Sequence, residues 1–563
     1  MRKVLLPFFA ATFLVAANLP QQAPVTPNDI ENNINYSKQK SISNDIENIK
    51  VDKNLTKTSE EIKVPKQLTF VLKGVNIVGA TIFSQKDFSK IVNPYLNTKV
   101  DAKILKQIAK KITELYVKAG YITSKCILPP QKIKNGIVTF KVIEDRLAGI
   151  IIQGDEAYTY NSKIFTKYLN SIRGKIIQLD TLNNALRLLS LLPGTKIKPK
   201  LTKDKRGHTI LILNVTPKKD VYSVSLDNSG GEYTGIYRYK FNGSLFNIFG
   251  VSDSFNFSLL TASNPKYLDS FSANYTLPVG KYGAILQMGY SKSYYMLNPD
   301  KVGTNAVIYT GNGDILSLMY LRPLATKKFN ASYFLGFEKK ENEADTIQNN
   351  DGSILIKGIE KFFVVKLGIN LSKVDSLFGQ EYKAQNSFNF TLKRAIEGFM
   401  GSMTTQDLTR KENDDTFPIV GPIRYGNVDP GFKLYTINVA RKQVLPKNYM
   451  FNLSARAGYS KKKRLPDSYL YNGGDYGYGF STSIAKDLNS HISASVSYSY
   501  SKTYYRNYST SSGILPTSNS VSKGVGLSIS ASYKDFFGNV SYSSGVDEWT
   551  NPRDFKFSIG MKF

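Results

Sequence analysis

From Val221 to Phe563 apolar and polar residues alternate in short segments, among them "DSFNFSLL", "FNASYFLGFE", "FKLYTINVAR", "HISASVSYSYS" and "VGLSISASY", with turns rich in Gly, Asn, Asp and Ser between them. Alternation is the pattern of a strand with one apolar and one wet face. About sixteen antiparallel strands fit residues 221–563 at the ~10 residues each that a membrane strand needs. The last is "DFKFSIGMKF", in which Phe555, Phe557, Ile559, Met561 and Phe563 share a face. Roughly 340 residues without a helical period, with Ser, Asn, Thr and Lys on the second face, fit a transmembrane barrel with a polar lumen better than a soluble sandwich. In a barrel the last strand pairs with the first, so a terminal aromatic lies at the membrane interface and not in water.

Upstream the period changes, and one supersecondary order, β-α-α-β-β, occurs twice. In residues 68–147 the strand "TFVLKGVNIVGA" leads to a helix opened by Ser84. The second helix, "DAKILKQIAKKITELYVKAG", places Ile104, Leu105, Ile108, Ala109, Ile112, Leu115, Tyr116 and Ala119 on one face. Asp101 is placed to cap it and Gly120 to end it. Two strands, "YITSKCILPPQKI" and "GIVTFKVIEDR", complete this unit, and residues 148–220 repeat the order. Residues 18–67 are rich in Asn, Lys, Ser and Glu and cannot bury enough surface to offset ordering entropy, so they read as a polar linker with room for a short plug helix. Residues 1–17 put Arg2 and Lys3 before the apolar run "VLLPFFAATFLVAA", which is shorter than the ~20 residues of a membrane helix. They read as a removed secretory signal, so the chain is exported.

Composition adds limits. The single cysteine, Cys126, excludes an internal disulfide and argues against a cysteine metal site. Tyr (36) and Phe (32) far outnumber Trp (1), as suits aromatic girdles. Net charge is +30, and residues 1–220 hold 36 Lys and Arg against 17 Asp and Glu, so the front part is the more basic. That is compatible with acidic clients or lipid phosphates, but a lysine-rich composition with solvated faces is the preferred reading. The only histidines, His208 and His491, fall in a turn and at a strand start, outside any triad or metal spacing. No Gly-rich loop ends in Lys-Ser or Lys-Thr, so no nucleotide site is expected. The chain reads as a non-enzyme without cofactor, metal or nucleic-acid partner.

Three stretches carry a family resemblance. "GYITSKCILPPQKIKNGIVTFKVIEDRLAGIIIQG", 120–154, resembles the end of a first POTRA domain, with Gly120-Tyr121, Pro130-Gln131 and the turn Asn135-Gly136 before a strand ending in an acidic residue. "LFNIFGVSDSFNFSLL", 245–260, is similar to the turn after an early barrel strand. "LPDSYLYNGGDYGYGF", 465–480, between the eleventh and twelfth strands, resembles the signature lumenal loop of the TpsB transporters of two-partner secretion, the ShlB/FhaC/HecB-type haemolysin secretion/activation family. The resemblance covers Phe70 to Phe563. It implies a bacterial outer-membrane barrel with two periplasmic POTRA domains that capture an unfolded secreted partner, a TpsA-like exoprotein, and export it through the barrel. It further implies outer-membrane lipid as surroundings, with periplasmic chaperones and the barrel-assembly machinery as partners during biogenesis. The terminal pattern Phe555, Phe557, Ile559, Met561, Phe563 resembles the C-terminal assembly signal of outer-membrane barrels.

One departure stands out. The family carries Arg-Gly-aromatic in the signature loop, where this chain has Tyr478-Gly479-Phe480, and no Asp or Glu occurs from 488 to 534 to supply the wall partner. Loss of both members is coherent, because one unpaired buried charge is expensive. Gly473, Gly474 and Gly479 suggest a tight tip at positive φ, and Tyr478 then takes the anchor's place by ring packing. The alternative is an outward loop with Tyr478 on the surface. Among functions, a BamA/TamA-type assembly factor shares the general plan but usually has more POTRA units, and a passive porin leaves the front domains without a purpose.

Overall fold

The computed structural model describes residues 50–51, 69–154, 162–280, 282–303, 306–324, 329–408, 419–421, 423, 428–461, 463–471, 474–506, 508–510, 513–515, 518–545 and 554–563. The expected signal, 1–17, and all of the expected linker except 50–51 lie outside the described residues. Those two form a short strand, β1 (Lys50–Val51).

The first α/β unit holds β2 (Phe70–Val71), β3 (Gly74–Val78), α1 (Gln85–Val92), β4 (Lys99–Val100), α2 (Ala102–Lys118), β5 (Lys125–Ile127) and β6 (Ile137–Ile143). β6 is central, parallel to β3 and antiparallel to β5. Ser84 and Asp87 form a capping box at α1, and the Asp101 carboxylate accepts the Ile104 N–H at 2.7 Å, which opens α2. Leu105, Ile108, Ala109, Ile112 and Tyr116 turn inward onto Val138, Phe140 and Val142, so the 3.6-residue period of α2 meets the two-residue period of β6. Cys126 is buried in this core, and burial pushes its thiol up to about 12.

The second unit repeats the order as β7 (Gly149–Gly154), α3 (Ser162–Leu169), α4 (Leu179–Ser190), β8 (Thr195–Lys203) and β9 (Thr209–Pro217), with its own core around Phe165, Leu169, Leu189, Leu211 and Leu213. Its sheet runs β1-β8-β9-β7, so a piece of the linker lies parallel on the outer edge of β8, Lys50 opposite Lys200 and Val51 opposite Leu201. Composition favours a structureless linker, but an open sheet edge can recruit even two residues through main-chain pairing.

The barrel strands are β10 (Val221–Asp227), β11 (Arg238–Phe246), β12 (Ser254–Ala262), β13 (Leu268–Val279), β14 (Ala284–Met296), β15 (Val307–Leu324), β16 (Asn330–Gln348), β17 (Ile354–Asp375) and β18 (Ala384–Ala395). After a three-residue strand, β19 (Ile419–Gly421), come β20 (Lys433–Leu445), β21 (Tyr449–Ser460), β22 (Tyr476–Asp487) and β23 (Ile492–Tyr505). A small hairpin, β24 (Tyr508–Thr510) and β25 (Gly513–Leu515), precedes β26 (Ser518–Tyr533), β27 (Phe536–Gly545) and β28 (Asp554–Lys562). Because β18 pairs directly with β20, the wall is a closed antiparallel barrel of sixteen strands, as expected, with β19 beside β17 as an addition. Closure is made by β28 on β10, from Lys562 opposite Ser223 to Ser558 opposite Asp227. Phe563 exchanges both backbone hydrogen bonds with Tyr222, and their rings stack at 5.9 Å.

The wall's two faces differ as the alternation requires. Leu259, Leu316, Leu318, Leu367, Ile369, Ile437, Val439, Leu527 and Ile529 are exposed on the outer face. Inside, Asn242 donates to Ser223 at 3.3 Å, Ser258 to Asn242 at 2.7 Å and Ser244 to Asn256 at 2.8 Å. β15, β16 and β17, at 18, 19 and 22 residues, are about twice the expected length. Their far ends stand beyond the apolar band, where both faces are wet and alternation is no longer needed.

The second unit sits against the end of the barrel formed by the turn after β11, the start of β14 and the end of β15. Gly194 N–H donates to Ser252 O at 3.1 Å, and the Arg187 guanidinium donates to Leu324 O at 3.1 Å. A Cβ at Gly194 would stand 2.7 Å from Asp253 O, so this contact needs glycine. The two units are also joined, through Leu179 N–H to Gly120 O at 2.9 Å and Ile177 N–H to Asp145 O at 3.0 Å.

Two expected outcomes follow from these joints. Removing Phe563 deletes a backbone pair and an interfacial ring from the closing seam, so the variant should give less heat-modifiable, membrane-inserted barrel; wild-type amounts on a heated-versus-unheated gel would count against this. In the first unit Glu144, at the end of β6, accepts the N–H groups of Thr81 and Ile82, both at 2.8 Å, and the Tyr116 hydroxyl at 2.7 Å. Burial alone would raise its pKa, but these donors hold the carboxyl below its usual value. The stabilisation is therefore complete above the unfolded carboxyl's pKa of ~4.3 and is lost as pH falls through the lower folded value. Glu144→Gln should cost about 1–2 kcal/mol at pH 7, discounted for solvent, and much less near pH 2, read by denaturant melts at both pH values.

Candidate functional site

The connection from β21 to β22 carries the site. Instead of leaving the barrel mouth, residues 464–471 bend into the lumen against the inner faces of β16 and β17. Glu360, on β17, accepts the backbone N–H groups of Asp467 at 2.8 Å and Ser468 at 3.0 Å. Lys340, on β16, donates to Ser468 O at 2.9 Å, and its ammonium lies over the Tyr469 ring. The Tyr469 hydroxyl donates to Glu338 at 2.8 Å, and Lys366 holds the other carboxylate oxygen of Glu338 at 2.6 Å. One single-turn helix, Asp467–Tyr469, is thus gripped through main chain and side chain at once.

Apolar packing seats this turn. Tyr469 lies 4.7 Å from Phe432 and 5.9 Å from Phe362, ring centre to ring centre, and Leu465, Met403, Leu434 and Val364 close the cluster. At the loop's base Asp475, fully buried, accepts the N–H groups of Leu465 at 2.7 Å and Arg506 at 2.8 Å, which ties the loop's two ends together. The arrangement can hold a polar channel narrow and release it by breaking a few charge-assisted bonds.

Residues 70–145 match the POTRA domain of ShlB type, and residues 207–485 match the family described as haemolysin secretion/activation protein ShlB/FhaC/HecB. The chain belongs to this family of two-partner secretion transporters. It is 24% identical over 401 residues to the heme/hemopexin transporter protein HuxB of Haemophilus influenzae (strain 86-028NP), a match covering 69% of this chain and spanning 64% of HuxB's length. Its fold is similar to CdiB from Escherichia coli, with TM-score 0.65 and 17% identity over 96% of this chain and all of CdiB. BamA from Haemophilus ducreyi lacking POTRA domains 1–3 is a more distant match, with TM-score 0.50 and 13% identity over 88% of this chain and all of that one. As in the family, the barrel lies in the outer membrane and the POTRA end faces the periplasm.

The positions that match the family's Arg-Gly-aromatic are elsewhere than at the gripped turn. Tyr478, Gly479 and Phe480 belong to the wall strand β22, with Tyr478 paired to Ala457 and Lys502. Tyr478 and Phe480 are exposed on the outer, apolar face, their rings against Tyr500 at 6.2 and 5.6 Å. Tyr478 is therefore not the anchor; the loop turns inward seven to fourteen residues earlier. Gly474 and Gly479 are not at positive φ either, and Gly473 lies outside the described residues. What Gly474 and Gly479 permit is close approach, since a Cβ at either would stand 2.8 Å from a β23 carbonyl, that of Tyr504 or Tyr500.

The acidic partners that the C-terminal strands lack are Glu338 and Glu360, on the seventh and eighth strands. The signal was present in "GFEKKENEADTIQ" and "GIEKFF", where an acid falls on the inward register of a membrane strand, but only the fold brings both to one loop. The POTRA positions come together as a turn. Asn135 and Gly136 adopt φ 52° and 71°, and the Gln131 side chain pairs with both main-chain groups of Thr139 at 2.8 and 2.7 Å, next to Pro129 and Pro130, which lack an N–H. Pro130 itself is exposed. Gly120, at φ 87°, ends α2, and Tyr121 packs edge-on against Tyr116. His208 contacts Asp204 in its turn, and His491 contacts Ser532 O at the periplasmic rim.

Glu360→Ala removes the acceptor of two backbone hydrogen bonds, about 1 kcal/mol each, and leaves the N–H groups of Asp467 and Ser468 without it. The variant should raise the open fraction at least tenfold in planar-bilayer recordings, whereas Tyr478→Ala, on the outer face, should leave conductance unchanged. A closed Glu360→Ala channel, or an open Tyr478→Ala one, would contradict the assignment.

Proposed function

We propose that the protein is an outer-membrane translocase of two-partner secretion, which captures an unfolded secreted partner through its POTRA units and exports it through its barrel. The observation that carries this reading is the pairing of a polar lumen, closed by a releasable inward loop, with two periplasmic units whose sheets keep open edges. An extended client can add a strand to such an edge, main-chain bonds supplying affinity and alternate pockets selectivity. The outer edge of β8 is already covered by β1, which leaves β7 in the second unit and β3 and β5 in the first. Basic charge on these units favours a client with acidic segments. No catalytic step is needed, and folding of the client outside supplies direction. Periplasmic chaperones and the barrel-assembly machinery bring the chain itself into the membrane, with the pattern from Phe555 to Phe563 as its assembly signal. A BamA-type assembly role is the second reading, favoured by the BamA likeness but supported by less of the sequence.

Removing residues 68–147 should leave an assembled, ion-conducting barrel that no longer secretes the partner encoded with it. Undiminished secretion would overturn capture by the first unit. A general fall in other outer-membrane barrels after loss of the whole chain, with secretion intact, would favour the assembly role.

A further inference from the structure

The outer face of the barrel carries an uneven band of charge at its extracellular end. On the β16–β17 sector outward lysines are neutralised within the wall: Glu341 pairs with Lys339 at 2.9 Å and Lys361 at 3.4 Å, and Glu343 pairs with Lys357 at 3.4 Å. The next sector lacks this compensation. Arg394, near the end of β18, is directly opposite Lys433 on β20, and both are exposed. Lys461 follows Ser460, the partner of Leu434, so it stands beside Lys433 in turn. Like charges directly opposite on neighbouring strands repel, and among the described residues no carboxylate pairs with any of the three.

Below and beside this row lies an aromatic slab on the same outer face. Tyr459 is 6.3 Å from Tyr476, which stacks on Tyr504 at 4.8 Å. Lys502 lies over Tyr504 at 5.1 Å, and the Arg506 guanidinium lies 4.8 Å from the Tyr476 ring. Aromatic rings mark the interface between hydrocarbon and headgroups, so the cations just beyond them stand at headgroup height. Several positive charges at that height attract anions, and the headgroups of the surrounding leaflet lie within their reach.

We propose that the outer rim over β18, β20, β21 and β23 binds phosphate groups of a phosphorylated glycolipid of the lipid A class, with Arg394, Lys433 and Lys461 on the phosphates and the tyrosine slab against the sugar and upper acyl chains. The site is independent of the secretion reading. It also gives the outward Tyr478 a place, as one edge of the slab.

The test uses the full chain, purified in detergent and stripped of lipid, with binding read by native mass spectrometry. Wild type should retain bis-phosphorylated lipid A at least tenfold more tightly than the same lipid after enzymatic removal of its phosphates. The triple variant Arg394→Gln, Lys433→Gln, Lys461→Gln should lose that preference, while Lys339→Gln, Lys361→Gln should keep it. Equal binding of the two lipids by wild type would overturn the proposal, and so would a folded triple variant that still discriminates. If the triple variant does not assemble, the wild-type comparison decides alone, because it requires no mutation.

Discussion

In hydrocarbon every unpaired backbone N–H and C=O costs several kcal/mol, so the seam between β10 and β28 is the contact on which the whole wall depends. Its five paired positions, extended by the exchange between Tyr222 and Phe563, leave no edge facing lipid. Sixteen strands closed in this way enclose an aqueous lumen too wide for the wall's own side chains to fill. A channel of that size must be narrowed by something other than the wall.

The narrowing element is a loop, because a loop can leave without breaking a strand pair. Its seat combines an apolar wedge of Tyr469, Phe362 and Phe432 with charges that are almost fully paired. The Glu338–Lys366 pair has little solvent around it, so desolvation offsets much of its Coulombic gain, and its value lies in aiming a carboxylate at the Tyr469 hydroxyl. Glu360 grips the loop through its backbone, accepting the N–H groups of positions 467 and 468. Asp475 belongs to a different job: it staples the two ends of the loop, so that the turn moves as a unit.

The periplasmic end is coupled to the same wall by short backbone contacts at Gly194 and by Arg187. These join the second α/β unit to the turn before β12 and to the end of β15. The gripped turn rests on β16 and β17, so a displacement at the POTRA joint and a displacement of the loop act on one continuous sheet.

Alternation determined the barrel, its strand count and its apolar face, because the pleat makes the side-chain period two wherever lipid lies on one side and water on the other. Helix periodicity and the capping residues Ser84 and Asp101 likewise determined the duplicated unit. Where that contrast of solvents disappears the signal fades, which is why the upper halves of β15 to β17 were not legible as strand. The loop's position between the eleventh and twelfth strands was legible, but not its anchor. Family likeness pointed to Tyr478, and strand pairing turned that residue outward, since Gly477 and Gly479 occupy the inward register of β22. Glu338 and Glu360 lie more than a hundred residues before the turn they hold. Only closure of the sheet carries the seventh and eighth strands to a place where the loop from the eleventh can reach them, and no local pattern encodes a distance across a lumen.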